Sequence, residues 1–336
     1  MATVIISFLK DIGKTLLKLI RSLLLNVIVL GLIFFLLFIL ITAVIPQSQT
    51  GLGYFKEQVV RNEGGEAKIA VIPLSGLILS DNATDLLSAG SEIISPTKVR
   101  NALLQAQADP MTKAVIFDLN SPGGSPVASD RIFEEVVNFK RQTKIPVVFL
   151  LGDLAASGGY YIASSADFIV ANPATLTGSI GVILESYNLQ GLYEKIGIAK
   201  ETFKQGEYKD MLSDSRPITE EEQAIINTLN ENTFDLFISR VAEGRNLPEA
   251  EIRNLATGQV YTGKQAKDLK LVDSLGNLDE AVYQAKTLAG LDRFQVVEYQ
   301  SGSFLQELFG QVKTSFLPQL SLRSFLILSP TISQKF

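Results

Sequence analysis

The longest uninterrupted hydrophobic pattern in the chain lies near its N-terminus. Residues 23–45 read LLLNVIVLGLIFFLLFILITAVI, with no charged side chain and only Asn26 and Thr42 as polar interruptions. A helix of this length rises about 34 Å, which exceeds the roughly 30 Å hydrocarbon core of a bilayer. The pattern therefore predicts an N-terminal transmembrane helix over residues 23–45.

The charges before this segment predict its orientation. Four basic side chains precede it against the single acid Asp11, namely Lys10, Lys14, Lys18 and Arg21. By the positive-inside rule, residues 1–22 lie in the cytoplasm and the chain beyond residue 45 lies outside it. A cleaved secretory signal is the alternative, but its apolar core is usually shorter, at about 7 to 15 residues. We therefore expect an uncleaved single-pass anchor in the cell membrane.

Beyond residue 66, apolar runs alternate with helical patterns, while the polar residues 46–66 before them predict a linker. Helix-capping signals predict one helix beginning at Pro96 and another that follows the capping box at Thr219 and reaches about residue 245. Runs rich in β-branched and aromatic residues predict buried strands at 68–79, 114–120, 146–154, 167–173, 176–184 and 294–299. This alternation predicts one layered α/β domain over residues 67–300.

The last segment, residues 301–336, has a different pattern. It is rich in Phe and Leu but is interrupted by Pro318 and Pro330, so it does not predict a second transmembrane helix. We expect a hydrophobic C-terminal tail that binds a surface or a partner, with partial disorder as the alternative.

Composition excludes several function classes. The chain has 30 basic and 35 acidic residues, a formal net charge of -5 and no long basic run, so we expect no nucleic-acid partner. It contains neither histidine nor cysteine, which removes the usual ligands of zinc and iron–sulfur sites. A carboxylate site for magnesium or calcium stays open without a signal for it. We expect no cofactor and no metal.

One short stretch, LAASGGYYIASSAD at residues 154–167, has the composition of a nucleophile site. Ser157 follows a predicted strand and opens a predicted helix, where backbone N–H groups point outward. The N–H of Gly158 could then stabilise an oxyanion. The pair Gly123–Gly124 ends the neighbouring strand in a second loop that permits close backbone approach. A tightly packed turn has the same composition, so the residues alone leave both interpretations open.

A nucleophilic serine needs a base, and without histidine the candidates are Asp, Glu, Lys and Tyr. Burial disfavours the ammonium form of lysine, whose reference pKa is about 10.4, and serine–lysine dyads are a known variant of the catalytic triad. Lys204 and Lys209 are both candidates, and the residues alone do not choose between them. Tyr160 and Tyr161 fit helix packing better than acid–base chemistry. Asp210 would oppose catalysis if it paired with Lys209, and we expect its side chain to point elsewhere.

Five segments in consistent order resemble the signal peptide peptidase A family: NSPGGS, AASGGYYIAS, TLTGSIGV, YKDMLSDSR and GQVYTGKQAKDLKLVDSLG. The resemblance covers about residues 68–300 and implies a Clp protease/crotonase-like layered fold. The site residues that the resemblance implies are Ser157 as nucleophile, Lys209 as general base, Ser179 as the residue that orients the lysine, and Gly124 and Gly158 as the oxyanion hole. Ser179 could instead serve only as a turn residue between two glycines.

The resemblance also implies a membrane-anchored serine endopeptidase that works outside the cytoplasm. Its expected partners are membrane lipid and peptide substrates, above all signal peptides left in the membrane after secretion, and further copies of the chain that share the dyad between subunits. The chain lacks the ATP-binding motif GxxxxGK[ST], so we expect that it does not use ATP to unfold its substrates. One alternative function is an acyl-CoA enzyme on the same fold, but the expected location outside the cytoplasm argues against it. Another is a membrane scaffold protein with an inactive protease fold, but the presence of Ser157 and Lys209 argues against that.

Overall fold

A computed structural model of the protein describes residues 55–81 and 93–301, together with Lys18, residues 21–26 and 28–32, and Phe35. Much of the predicted transmembrane helix and all of the tail beyond residue 301 lie outside the described residues. The chain divides into two units, residues 1–52 and 53–336. Within the described part of the chain, no helix has the length and apolar character needed to cross a bilayer.

The second unit is built around a mixed β-sheet. Its strands are β1 (Phe55–Asn62), β2 (Lys68–Ser75), β3 (Leu77–Ile78), β4 (Ile93–Ile94), β5 (Thr112–Ser121), β6 (Val147–Ala156), β7 (Phe168–Ala171), β8 (Leu176–Gly178), β9 (Val260–Thr262), β10 (Ser274–Leu275) and β11 (Gln295–Ser301). Within the described residues, nine strands share one sheet in the order β1-β11-β2-β5-β6-β7-β10, with β8 added beside β6 and β9 beside β8. β2, β5, β6 and β7 are mutually parallel, which places their carboxyl ends at one edge.

Helices cover both faces of this sheet. They are α1 (Pro96–Ala108), α2 (Pro126–Thr143), α3 (Gly158–Ala163), α4 (Gln190–Ile196), α5 (Glu220–Arg245), α6 (Glu249–Leu255), α7 (Gly263–Asp268) and α8 (Leu278–Ala289). The larger core joins one face of the sheet to α1, α2, α3 and α5, and the smaller core joins the other face to α8. The result is a layered α/β arrangement, as predicted.

The predicted capping signals are confirmed. The Ser95 side chain accepts a hydrogen bond from the backbone of Lys98 at the start of α1. At the start of α5, Thr219 and Glu222 form both bonds of a capping box. These caps satisfy backbone N–H groups that would otherwise lack acceptors in the first helical turn, which is why such signals can be recognised in a sequence.

Two predicted elements differ from the structure. Residues 55–62, within the predicted linker, form the mostly exposed strand β1, which pairs antiparallel with β11 through the backbone. The strand predicted at 176–184 ends at Gly178, because Gly178 and Ser179 both have positive φ and turn the chain away. Ile180, directly after this turn, is still buried, whereas Ile183 and Leu184 are exposed instead of buried in the sheet.

Candidate active site

Ser157 occupies a sharp turn between β6 and α3. Its φ of 53° and ψ of -122° lie in a backbone region that residues other than glycine rarely adopt. The turn is held on both sides, because the Ser157 N–H donates to the Gly178 carbonyl at 2.9 Å and its carbonyl accepts from the Tyr161 N–H at 2.9 Å. The hydroxyl makes no side-chain capping bond to α3. Ser157 is thus a half-buried serine with a constrained backbone and a hydroxyl that makes no hydrogen bond within the described residues.

The Gly123–Gly124 loop lies directly against this turn. It is fixed by Ile78, whose N–H donates to the Gly123 carbonyl at 2.9 Å and whose carbonyl accepts from the Ser125 N–H at 2.8 Å. A Cβ atom on Gly123 would lie 2.6 Å from the nitrogen of Gly158, and one on Gly158 would lie 3.2 Å from the nitrogen of Gly124. The two loops therefore approach so closely that side chains do not fit between them.

This approach brings two backbone donors together beside Ser157. Gly158 is the first residue of α3, so its N–H has no acceptor within the helix. Among the described residues, no hydrogen bond from the N–H of Gly124 or Gly158 is found. Paired free N–H groups next to a nucleophile are the arrangement that stabilises a developing oxyanion.

Ser179 lies beside Ser157 on the adjoining strand. β8 pairs with β6 up to the partners Ala156 and Gly178, so the two serines directly follow the last register pair. Ser179 also has a positive φ, of 50°, and its N–H donates to the carbonyl of Gln259 at 2.8 Å. The structure thus brings together four of the five predicted site residues: Ser157, Ser179, Gly124 and Gly158.

Lys209 is the predicted site residue that the single chain does not bring to this cluster. It lies in residues 183–216, which we call the arm, and its side chain is exposed. Within the described residues, no hydrogen bond or ion pair links Lys209 to Ser157 or Ser179. The arm contains α4, which has no buried residue, and exposed apolar side chains such as Phe203, which is 92% exposed.

The alternative lysine is engaged elsewhere. Lys204 Nζ lies 2.5 Å from Asp210 Oδ1 and donates to the carbonyl of Glu207 at 2.7 Å. The carboxylate of Asp210 also binds Arg216, and these hydrogen bonds, first from Arg216 and then from Lys204, hold the pKa of Asp210 well below its ordinary range. Asp210 therefore points toward Lys204 and Arg216 and makes no ion pair with Lys209, in agreement with the prediction.

The two tyrosines after Ser157 pack in the core, as predicted. The Tyr160 hydroxyl donates to the carbonyl of Leu271 at 2.8 Å, and the Tyr161 hydroxyl donates to Asp130 Oδ1 at 2.7 Å. Burial raises the pKa of both hydroxyls. They anchor α3 and hence the turn at Ser157.

A cavity of about 440 Å³ opens near the carboxyl ends of β5 and β6. Polar and apolar side chains line it, including Asp118, Asp153, Asn172, Leu150 and Leu176. Burial, and secondly the charge of Glu298, raise the pKa of Asp118. Among the described residues, no group of three or more acidic side chains is placed to hold a metal ion.

Sequence reasoning missed two residues around the site. Arg216 binds Glu222 as well as Asp210, and Glu222 is almost fully buried at the start of α5. Both residues belong to patterns that are visible in the sequence, because Arg216 ends the YKDMLSDSR segment and Glu222 belongs to the predicted capping box. Neither pattern alone indicates that the two side chains meet.

Comparisons with known proteins place the chain in a family. A model described as "Peptidase family S49" matches residues 139–292. A protein of Synechocystis sp. provisionally named protease slr0021 is 40% identical over 225 residues, which are 67% of this chain and 76% of that protein. A protein of Enterococcus faecium provisionally named signal peptide peptidase SppA is 34% identical over 251 residues, which are 75% of this chain and 72% of that protein.

A solved structure was also found to be similar. It is a mutant of the 1510-N membrane-bound stomatin-specific protease in complex with a substrate peptide, with 19% identity and a TM-score of 0.47 over 74% of this chain and 98% of that one. The coverage and identity of the two relatives from Synechocystis and Enterococcus, together with the family match, decide the assignment. The chain belongs to peptidase family S49.

Proposed function

We propose that the protein is a membrane-anchored serine endopeptidase with a Ser157–Lys209 dyad, on the Clp protease/crotonase-like fold that the sequence resemblance implies. The observation that carries this proposal is the strained turn at Ser157, whose unengaged hydroxyl lies beside the free N–H groups of Gly124 and Gly158. Strained backbone of this kind persists where the surroundings over-determine it, and it is concentrated at reactive sites.

The chemistry follows from these atoms. Ser157 Oγ attacks the scissile carbonyl carbon as its proton passes to Lys209 Nζ, and the carbonyl oxygen becomes an oxyanion bound by the two glycine N–H groups. The ammonium then gives its proton to the departing amine, which leaves an acyl-enzyme ester. Water, deprotonated by Lys209, hydrolyses that ester. Ser179, next to Ser157, orients the lysine through its hydroxyl.

The position of Lys209 supports a dyad that is completed between copies of the chain. Within one chain the arm carries Lys209 without contact to Ser157, and it exposes Ile183, Tyr187 and Phe203 by 83%, 78% and 92%. Exposed apolar side chains on one segment are typical of a surface that meets a protein partner. A second copy that covers this arm would bury these side chains and receive the lysine.

The substrate proposal rests on the N-terminal pattern and the family. Residues 23–45 would anchor the domain with its active site outside the cytoplasm, and peptides left in the same membrane would then be the substrates at hand. Signal peptides have an apolar core of about 7 to 15 residues. The relative from Enterococcus faecium carries the name signal peptide peptidase.

The proposal is tested with the full chain in detergent and a fluorogenic peptide that contains a signal-peptide core. Ser157→Ala and Lys209→Ala should each abolish turnover, whereas Lys204→Ala, which removes a lysine from the same arm, should retain most of it. Activity of Lys209→Ala close to that of the unaltered protein would refute the dyad. Mixing the two inactive variants should restore part of the activity in hetero-oligomers, and a persistently inactive mixture would contradict sharing between subunits.

A further inference from the structure

The residue after the proposed general base is held by a forked arginine. Arg216 donates from Nε to Asp210 Oδ2 at 3.1 Å and from Nη2 to Asp210 Oδ1 at 3.0 Å. The same guanidinium donates to Glu222 Oε2 at 2.8 Å and Oε1 at 2.5 Å. Two paired bonds on each side give Arg216 a fixed geometry that a lysine could not reproduce.

Glu222 connects this pair to the body of the domain. It is only 2% exposed and accepts a further bond from the Thr219 N–H as part of the capping box of α5. α5 in turn packs on α3, where the rings of Phe237 and Tyr161 lie 4.9 Å apart. A continuous set of contacts thus leads from the arm, through α5, to α3, the helix that follows Ser157.

We propose that Arg216 is a positioning residue for Lys209, which it aligns by fixing the adjacent Asp210 to the start of α5 and by occupying the Asp210 carboxylate. This inference rests on the proposed serine–lysine dyad and extends it to the arm's internal geometry. Lys209 follows a turn in which its own N–H donates to the Gly206 carbonyl at 3.3 Å. With Asp210 fixed immediately after it, the lysine backbone is held from both sides.

The charges around Lys209 give Arg216 a second effect. The cluster consists of two carboxylates, Asp210 and Glu222, and two cations, Lys204 and Arg216, so its charges balance. Lys200 and Asp214 pair with each other at 2.5 Å. The remaining charged side chains of the arm are Glu185, Glu194, Lys195, Glu201 and Glu207. Loss of Arg216 would leave a surplus negative charge beside Lys209, and a nearby negative charge favours the protonated form of a lysine. The protonated form cannot act as the base.

The test measures kcat, KM and the pH profile of kcat for full-length Arg216→Gln. We expect kcat to fall by about tenfold to hundredfold, because small misplacements of a catalytic group have effects of that order. KM should change little, and the acid limb of the profile should move to higher pH. Arg216→Lys should retain more activity than Arg216→Gln, although less than the unaltered protein.

Two further variants separate alignment from charge. Asp210→Asn should leave the pair between half-buried Arg216 and buried Glu222 intact, and it should lower kcat without moving the acid limb upward. In the double variant Arg216→Gln/Asp210→Asn the limb should return toward its original pH while kcat stays low. Arg253→Gln is the control, because it breaks an exposed ion pair, 2.7 Å long, between Arg253 on α6 and Asp235 on α5. It should leave both kcat and the limb unchanged.

Melting temperature and oligomer size are recorded for every variant, so that effects on folding and assembly can be separated from the positioning role of Arg216. A loss of kcat that only follows unfolding or dissociation, with an unmoved limb, would overturn the positioning role. If Lys209→Ala is inactive and the Arg216 and Asp210 variants work normally, the dyad stands and the positioning role fails. If Lys209→Ala is active, the proposed dyad fails and the positioning role with it.

Discussion

The backbone N–H of Ser157 binds the carbonyl oxygen of Gly178 at 2.9 Å, across the seam between β6 and β8. The strained turn at Ser157 is therefore held by a neighbouring strand as well as by the helix that follows it. Because Gly178 directly precedes Ser179, the same bond sets the spacing of the two serine backbones. The conformation of the turn is a property of the sheet and does not depend on the serine hydroxyl.

Replacement of Ser157 should separate strain from chemistry. Ser157→Gly and Ser157→Ala should both be inactive, but the glycine variant should be more stable than the alanine variant by about 1 kcal/mol, since glycine adopts positive φ without a steric cost. Urea unfolding followed by circular dichroism measures the difference. Equal stability of the two variants would show that the turn carries no strain.

A methyl group on Gly123 should block the oxyanion site. Its Cβ would lie 2.6 Å from the nitrogen of Gly158, so Gly123→Ala should lower kcat/KM by on the order of 100-fold or more. Gly64→Ala is the matched control, because Gly64 also has a positive φ, of 78°, but has no atom near the added carbon. Both variants introduce backbone strain, and only the first should lose activity. Comparable losses in the two would contradict the assignment of the oxyanion hole.

The partly buried carboxyl of Asp118 should make stability depend on pH. Because burial raises its pKa, the folded state favours the protonated acid, and the stability it contributes is lost as the pH rises through the raised value. Asp118→Asn should therefore raise the melting temperature at neutral pH and have little effect well below about pH 4, where aspartate is protonated in both states. Asp153→Asn, which alters an exposed carboxylate at the same cavity, should change the melting temperature little at either pH. An equal gain at both pH values would argue against this account.

Arg245 should be important for stability and not for catalysis. Its side chain is only 7% exposed and forms two bonds to Asp273, at 2.6 and 3.0 Å, and two to the carbonyl of Lys270. Arg245→Met leaves a partly buried carboxylate without its cation, which should cost on the order of 3 kcal/mol. Arg253→Gln, which breaks an exposed pair, should cost less than about 1 kcal/mol. Denaturant unfolding of the two variants compares these values, and similar losses would refute the distinction.

The features that could be predicted from the sequence are those with a local cause. The caps at Ser95 and Thr219 depend on residues three positions away, and the strand before Ser157 is recognisable from its apolar run. β1 has no such signal, because its side chains are mostly exposed and its partner β11 lies at the far end of the domain. Its formation depends on backbone pairing that no local pattern reveals.

The candidate site likewise contains features that the sequence predicts and features that only the folded chain shows. The turn that bears Ser157 follows from the order of strand, small residues and helix. The choice between Lys204 and Lys209 depended on resemblance alone, since only the folded arm shows that Lys204 is paired with Asp210. The contact between Arg216 and Glu222 likewise needs the loop to fold back on α5, which the sequence does not indicate.

The pairing of β1 with β11 determines how the domain can be handled. Phe55 and Ser301 are register partners, so the chain enters and leaves the described domain at one corner of the sheet. The two ends could be joined by a short flexible linker, and new termini could be opened at an exposed loop elsewhere. Because its two ends meet, the domain is suited to circular permutation and to insertion into a loop of a host protein.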